Sequence, residues 1–147
     1  MRPVTPQNLD RLSLGLRLRL AGEVLYSYLR VRWVMRDDDA ERAVRRLRER
    51  ARGPMHAGAA KEPEDVDLMS AWRLAHATRR VLELLPSDSR CLFRSLTLMC
   101  MLERRGIAHT LVVAVRPRPF AAHAWLEVAG EAVLPGADPG YERLLEL

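Results

Sequence analysis

A single change of hydrophobic period, at Gly106, constrains this chain more than any other feature. Before it, apolar residues recur every three or four positions; after it they alternate. A chain patterned this way builds its helices first and its strands afterwards, an α+β arrangement rather than repeated strand–helix units. Its 147 residues suffice for one domain with a real core but not comfortably for two. The expectation is a single domain over 1–147, with a helical subregion at 1–85 and a mixed core at 86–147.

Thr5-Pro6 is a helix start, and Leu9, Leu12, Leu16, Leu20, Val24, Tyr28 and Val31 form a helical stripe running to about Met35. The alternation of Leu12, Leu14, Leu16, Leu18 and Leu20 would also suit a strand. Leu and Arg are strong helix formers, however, and β-branched residues are scarce before Val24. Asp38 and Glu41 have capping-box spacing before a second short helix, with Ala40, Ala43, Val44, Leu47 and Ala51 inward and its arginines toward water. Gly53-Pro54 stops that helix, and residues 53–63 read as a connection. A third helix is expected from Glu64 to Leu85, with Met69, Trp72, Ala75, Leu82 and Leu85 inward and His76 structural.

Pro86 ends the third helix, and Ser87, Asp88 or Ser89 caps a fourth from Cys91 to Arg105, with Leu92, Leu96, Met99 and Leu102 on its apolar stripe. Gly106 terminates it. Strands are then expected at Thr110–Val115, Phe120–Val128 and Ala132–Leu134, joined by turns at 116–119 and 129–131. On the middle strand Phe120, Ala122, Ala124, Leu126 and Val128 share one face; Ala121, His123, Trp125 and Glu127 share the other.

Two residues stand out chemically. Cys91 falls in the first turn of a helix, where the field of the helix favours a thiolate, the reactive form of cysteine. His123 lies downstream on a different element, the usual place for the base that serves a cysteine nucleophile. Both also have a structural reading, as a buried thiol and a packed histidine. A third group should orient the imidazole, and Glu127, Glu131 and Asp138 are the candidates. Glu127 is four residues along the same strand, about 13 Å away. A hairpin turning at Gly130-Glu131 pairs residues whose numbers sum to 261; this sets Asp138 opposite His123 and leaves Glu131 in the turn. Asp138 is the expected third member.

Other chemistries find little support. Cys91 and Cys100, nine apart on one helix, point to opposite faces and cannot bridge. No C-x-x-C or H-E-x-x-H spacing is present, so neither a metal nor another cofactor is expected. The net charge of +5 invites nucleic acid. The basic residues are arginines save Lys61, a bias better explained by genome composition, and few aromatics are available to stack on bases. No long apolar run or signal peptide is seen, so a cytoplasmic protein without membrane or nucleic-acid partners is expected.

Cys91-Leu92-Phe93-Arg94-Ser95-Leu96, Arg105-Gly106-Ile107, the valine-rich strand and Phe120–Val128 together resemble the transglutaminase-like leader peptidases of lasso-peptide biosynthesis, over roughly residues 86–134. The resemblance implies a transglutaminase- or papain-like core in which a Cys-bearing helix packs on a small antiparallel sheet. It implies a Cys-His-Asp triad that removes the leader from a ribosomally made precursor. It implies three partners: the precursor peptide, a separate leader-recognition protein and the lasso cyclase. The chain would be the stand-alone protease half of a split system. At the position where the family usually carries its acidic residue stands Pro135, a departure that either Asp138 makes good or that leaves the triad incomplete. Acyl transfer to an amine on the same residues, and a non-catalytic scaffold within the maturation complex, are the alternatives.

Overall fold

The computed structural model describes residues 13–37, 39–51, 65–85, 91–136 and 139–147. Four helices precede a four-stranded antiparallel sheet: α1 (Leu14–Asp37), α2 (Ala40–Ala51), α3 (Asp65–Glu83), α4 (Cys91–Glu103), β1 (Thr110–Pro117), β2 (Phe120–Val128), β3 (Glu131–Ala132) and β4 (Glu142–Glu146). The sheet order is β3-β2-β1-β4. The fold is α+β, as the change of period at Gly106 requires.

α4 is the hub. It is buried from Ser95 through Glu103, and α1, α2, α3 and β2 all pack against it. Its C-terminus is closed by the expected glycine: Gly106 is left-handed, with φ 68°. Ile107 N–H donates to Leu102 O at 3.1 Å and Gly106 N–H to Glu103 O at 3.1 Å, the paired bonds of a Schellman stop. This stop turns the chain out of the helix and into β1.

The helices meet α4 through the predicted stripes, with two corrections. On α1, Val24, Tyr28 and Val31 are buried. Leu16 faces out, and a second apolar line of Leu14, Leu18, Leu29 and Trp33 is 62–73% exposed. On α3 the inward residues are Ala71, Leu74, Ala75, Thr78 and Leu82, whereas Met69 and Trp72 are 39% and 43% exposed. Small residues at the contact, Ala71 and Ala75, let α3 lie close against α1 and α4, which places Met69 and Trp72 at the rim. On α2, Ala43, Val44 and Leu47 are inward as expected. The cap position belongs to Asp39, whose carbonyl receives Ala43 N–H at 2.8 Å; Asp38 lies outside the described residues. Arg48 departs from the water-facing arginines. Its Nε lies 3.2 Å from Glu103 at the buried end of α4.

In the sheet, β1 and β2 pair in full register from Thr110↔Glu127 to Pro117↔Phe120, joined by Arg118-Pro119. β1 therefore runs two residues beyond the expected Val115. The β2–β3 register overturns the expected one: Glu127↔Ala132 and Val128↔Glu131 sum to 259. The turn is Ala129-Gly130, both left-handed at φ 53° and 77°, the two-residue geometry that suits the twist of a hairpin. β3 spans only Glu131–Ala132, so the expected strand to Leu134 stops short. β4, unforeseen from the sequence, pairs with β1 from Val112↔Glu146 to Val115↔Glu142, with a bulge opposite Val113 and Ala114.

One face of the sheet carries Arg143 and Glu146, both exposed, beside Glu127, Trp125 and His123. The helices cover the other face, where Leu111, Leu126 and Val128 are at most 1% exposed.

Arg105, just past α4, clamps α1 to this hub. Its guanidinium donates to both carboxylate oxygens of Glu23, at 2.6 and 2.8 Å, and also to Met101 O at 3.0 Å. The bond to Arg105 holds the Glu23 carboxyl below its ordinary value of 4.5, against the opposing effect of burial. A carboxylate with a lowered folded-state pKa stabilises the fold above its unfolded value and loses that contribution as pH falls through the folded one. Glu23→Gln is therefore expected to lower unfolding free energy by about 1–2 kcal/mol at pH 7. Urea titrations should show the gap between the two proteins closing as pH drops below 4.5.

Candidate active site

The outer edge of β2 organises the site. Alternate carbonyls along a strand point the same way, and Leu126 O points away from β1, because it accepts Val133 N–H at 2.9 Å on the β3 side. The next two carbonyls on that edge, Ala124 O and Ala122 O, have no strand to meet, since β3 has ended. α4 takes its place. Buried Ser95 donates Oγ–H to Ala124 O at 3.0 Å, and Cys91 Sγ lies 3.9 Å from Ala122 O. Four helix residues advance about 6 Å and two strand residues about 6.6 Å, so the spacing of Cys91 and Ser95 matches that of Ala122 and Ala124. Helix and strand run in the same direction. Ser95 anchors the register and Cys91 occupies the open end.

Cys91 is thus the first residue of α4, half-buried, and set against the peptide group that joins Ala122 to His123. The cap candidates Ser87, Asp88 and Ser89 lie outside the described residues. As a first-turn residue Cys91 has a backbone N–H with no acceptor inside the helix, a donor directed at whatever binds over the thiol.

His123 projects from β2 with its ring held on three sides. Nε2 lies 2.8 Å from Pro135 O. A carbonyl only accepts, so Nε2 carries the hydrogen, and in the neutral imidazole Nδ1 is then the basic nitrogen. Trp125 stacks on the ring, with centroids 5.9 Å apart and planes at 26°; Tyr141 meets it edge-on at 6.3 Å. Trp125 is itself fixed, donating Nε1–H to Glu127 at 2.9 Å, and Arg143 donates to the same carboxylate at 2.8 Å. The arrangement restrains rotation of the imidazole, and among the described residues Nδ1 has no hydrogen-bond partner. The Trp125 ring thus both packs and braces the His123 imidazole.

The three acidic candidates are placed as follows. Glu127 is committed to Trp125 and Arg143. Glu131 is exposed on β3. Asp138 lies outside the described residues. The register expected to bring it opposite His123 is shifted by two: with pairs summing to 259, the facing position is Gly136, beside Pro135. Gly136 lies 4.0 Å from Trp125 Nε1, measured from the position its Cβ would take. Pro135, recognised in the sequence only as a missing acid, supplies the acceptor through its main chain. No side-chain pattern could have announced it.

The second cysteine is in a different state. Cys100 is 2% exposed, and burial pushes its thiol up to about 11. A pocket of about 460 Å³ lined by Arg19, Glu23, Tyr26, Arg104 and Arg105 lies at the opposite end of α4 from Cys91. Its carboxylate is taken by Arg105.

A thiol at a helix start, an edge-capping helix and a carbonyl-held histidine on the adjacent strand are the parts that a cysteine-based acyl-transfer centre requires. A family model described as the Transglutaminase-like superfamily matches residues 28–146. The chain belongs to that superfamily, which generally contains cysteine proteases and acyltransferases. No curated protein and no solved structure gives a match.

The two thiols should be distinguishable directly. Iodoacetamide at pH 8 is expected to modify the folded protein at Cys91 alone, with Cys100 reacting only in denaturant; peptide mass mapping reads both. Rapid modification of Cys100 in the folded state would contradict its burial.

Proposed function

We propose that this chain is a cysteine peptidase that removes the leader from a ribosomally made lasso-peptide precursor, acting beside a separate leader-recognition protein and handing the core to the lasso cyclase. The observation that carries the catalytic part is the placement of Cys91 Sγ 3.9 Å from Ala122 O, one peptide from a histidine whose Nε2–H is held by Pro135 O. The substrate assignment rests on the resemblance of the Cys91–Leu96 and Phe120–Val128 segments.

In this reading His123 Nδ1 takes the Cys91 proton, and the thiolate attacks the carbonyl that joins leader to core. The tetrahedral oxyanion faces the backbone N–H of Cys91. Collapse returns the proton from Nδ1 to the departing amine and leaves a thioester on Cys91. Water, deprotonated by the same nitrogen, releases the leader acid. Pro135 O keeps Nε2 as the donor throughout, and Asp138, three residues further on, is the carboxylate proposed to stabilise the imidazolium. Release of the thioester by an amine in place of water is the acyltransferase alternative, in keeping with the superfamily.

Cleavage of the cognate precursor, with the recognition protein present, is expected to give one cut at the leader–core junction by mass spectrometry. Cys91→Ala should bring it below detection while circular dichroism stays native; cleavage retained by that variant would remove the nucleophile assignment. A product heavier by an added amine would favour transfer. Asp138→Asn is expected to lower kcat by about tenfold or more. An unchanged rate would assign the orienting role to the Pro135 carbonyl alone.

A further inference from the structure

The helix layer does not cover its whole face of the sheet. Toward the β1–β2 hairpin, past the start of α4, the buried residues Leu126 and Ala124 give way on the same face to Ala122, which is exposed, and Phe120, which is 79% exposed. Their partners across the ladder are Val115 and Pro117. The floor that continues from Cys91 is therefore apolar across β2 and β1, through Ala122, Phe120, Val115 and Pro117, and is bordered on β4 by exposed Glu142. An exposed phenylalanine here extends the apolar surface directly from the thiol, since Phe120 is two residues, about 6.6 Å, beyond the carbonyl that Cys91 touches.

The two faces of β2 also divide the substrate. His123 Nδ1 must deliver a proton to the leaving amine, so the amine side of the scissile bond lies toward the His123–Trp125 face. The acyl side then falls on the opposite face, the one that carries Ala122 and Phe120.

We infer that Phe120, with Val115 and Ala122, forms an apolar subsite for the acyl side of the peptide, selecting a large apolar side chain within the two residues that precede the scissile bond. This rests on Cys91 being the nucleophile. Partial burial of one such side chain against an aromatic surface corresponds to a preference of about tenfold or more over glycine.

The probes are two peptidyl acyloxymethyl ketones, acetyl-Leu-Leu and acetyl-Gly-Gly. With each, the Cys91 thiolate forms a carbon–sulfur bond and the carboxylate leaves with the electron pair of the broken carbon–oxygen bond. Rates of modification are read by intact mass, with iodoacetamide as a control that has no peptide. The wild-type chain is expected to react about tenfold faster or more with the Leu-Leu probe. Phe120→Ser should bring that ratio down to within about threefold, and Phe120→Leu should keep most of it. Equal rates for the two probes in the wild type, or a ratio that survives Phe120→Ser, overturn the subsite. Failure of both ketones and of iodoacetamide to modify Cys91 instead overturns the nucleophile, and the subsite with it.

Discussion

Everything at this site follows from a strand edge that has lost its neighbour. β2 presents three outward carbonyls in succession, and β3 ends after satisfying the one at Leu126. A buried carbonyl without a donor costs about as much as a lost hydrogen bond. Ser95 therefore does more than fill space: its hydroxyl, 0% exposed, supplies the donor for Ala124 O and sets where α4 lies along β2. The position of Cys91 is a consequence. Four residues before Ser95 on the helix meets two residues before Ala124 on the strand, and the residue there is the thiol.

The same edge decides how His123 is held. Because β3 is short, the chain from Val133 onward leaves ladder geometry and can bend its backbone toward the sheet face. Pro135 has no N–H to place, and its carbonyl is directed at His123. A main-chain acceptor is fixed by the fold rather than by a rotamer, and it orients the imidazole without introducing a charge. The aromatic sandwich of Trp125 and Tyr141 completes the constraint, and Arg116 over Tyr141, at 5.1 Å, and Arg143 over Trp125, at 5.8 Å, cover its outer surface.

The elements that build the core were legible in the sequence because their periods are strong and their ends are signalled. α2, α4, β1 and β2 appear within two or three residues of their expected limits, and Cys91 and His123 both stand out from local pattern alone. What could not be read depended on conformations or contacts without a sequence mark. The β2–β3 register was displaced by two because Ala129, a residue with no special turn propensity, adopts a left-handed φ of 53°. β4 is an exposed edge strand whose five residues all face water at least in part, so the alternation that reveals a half-buried strand is missing. Its one signal was the spacing of Leu145 and Leu147, the latter bonded through its backbone to Leu111. Met69 and Trp72 belong to the apolar set expected to face inward on α3, whereas the packing of that helix is led by Ala71 and Ala75.

The separation of the two faces of β2 gives the site its direction. A histidine on the same face as the apolar row would compete with α4 for space and be buried with it. On the opposite face it stands clear of α4, one peptide along β2 from the carbonyl that Cys91 Sγ approaches at 3.9 Å. In the proposed mechanism, proton transfer takes place at a seam between a charged, aromatic surface carrying Arg116, Arg143 and Glu127 and an apolar one carrying Val115, Ala122 and Phe120. A peptide substrate lying across that seam would meet different chemistry on either side of its scissile bond, so the strand itself would set the order in which its residues are presented.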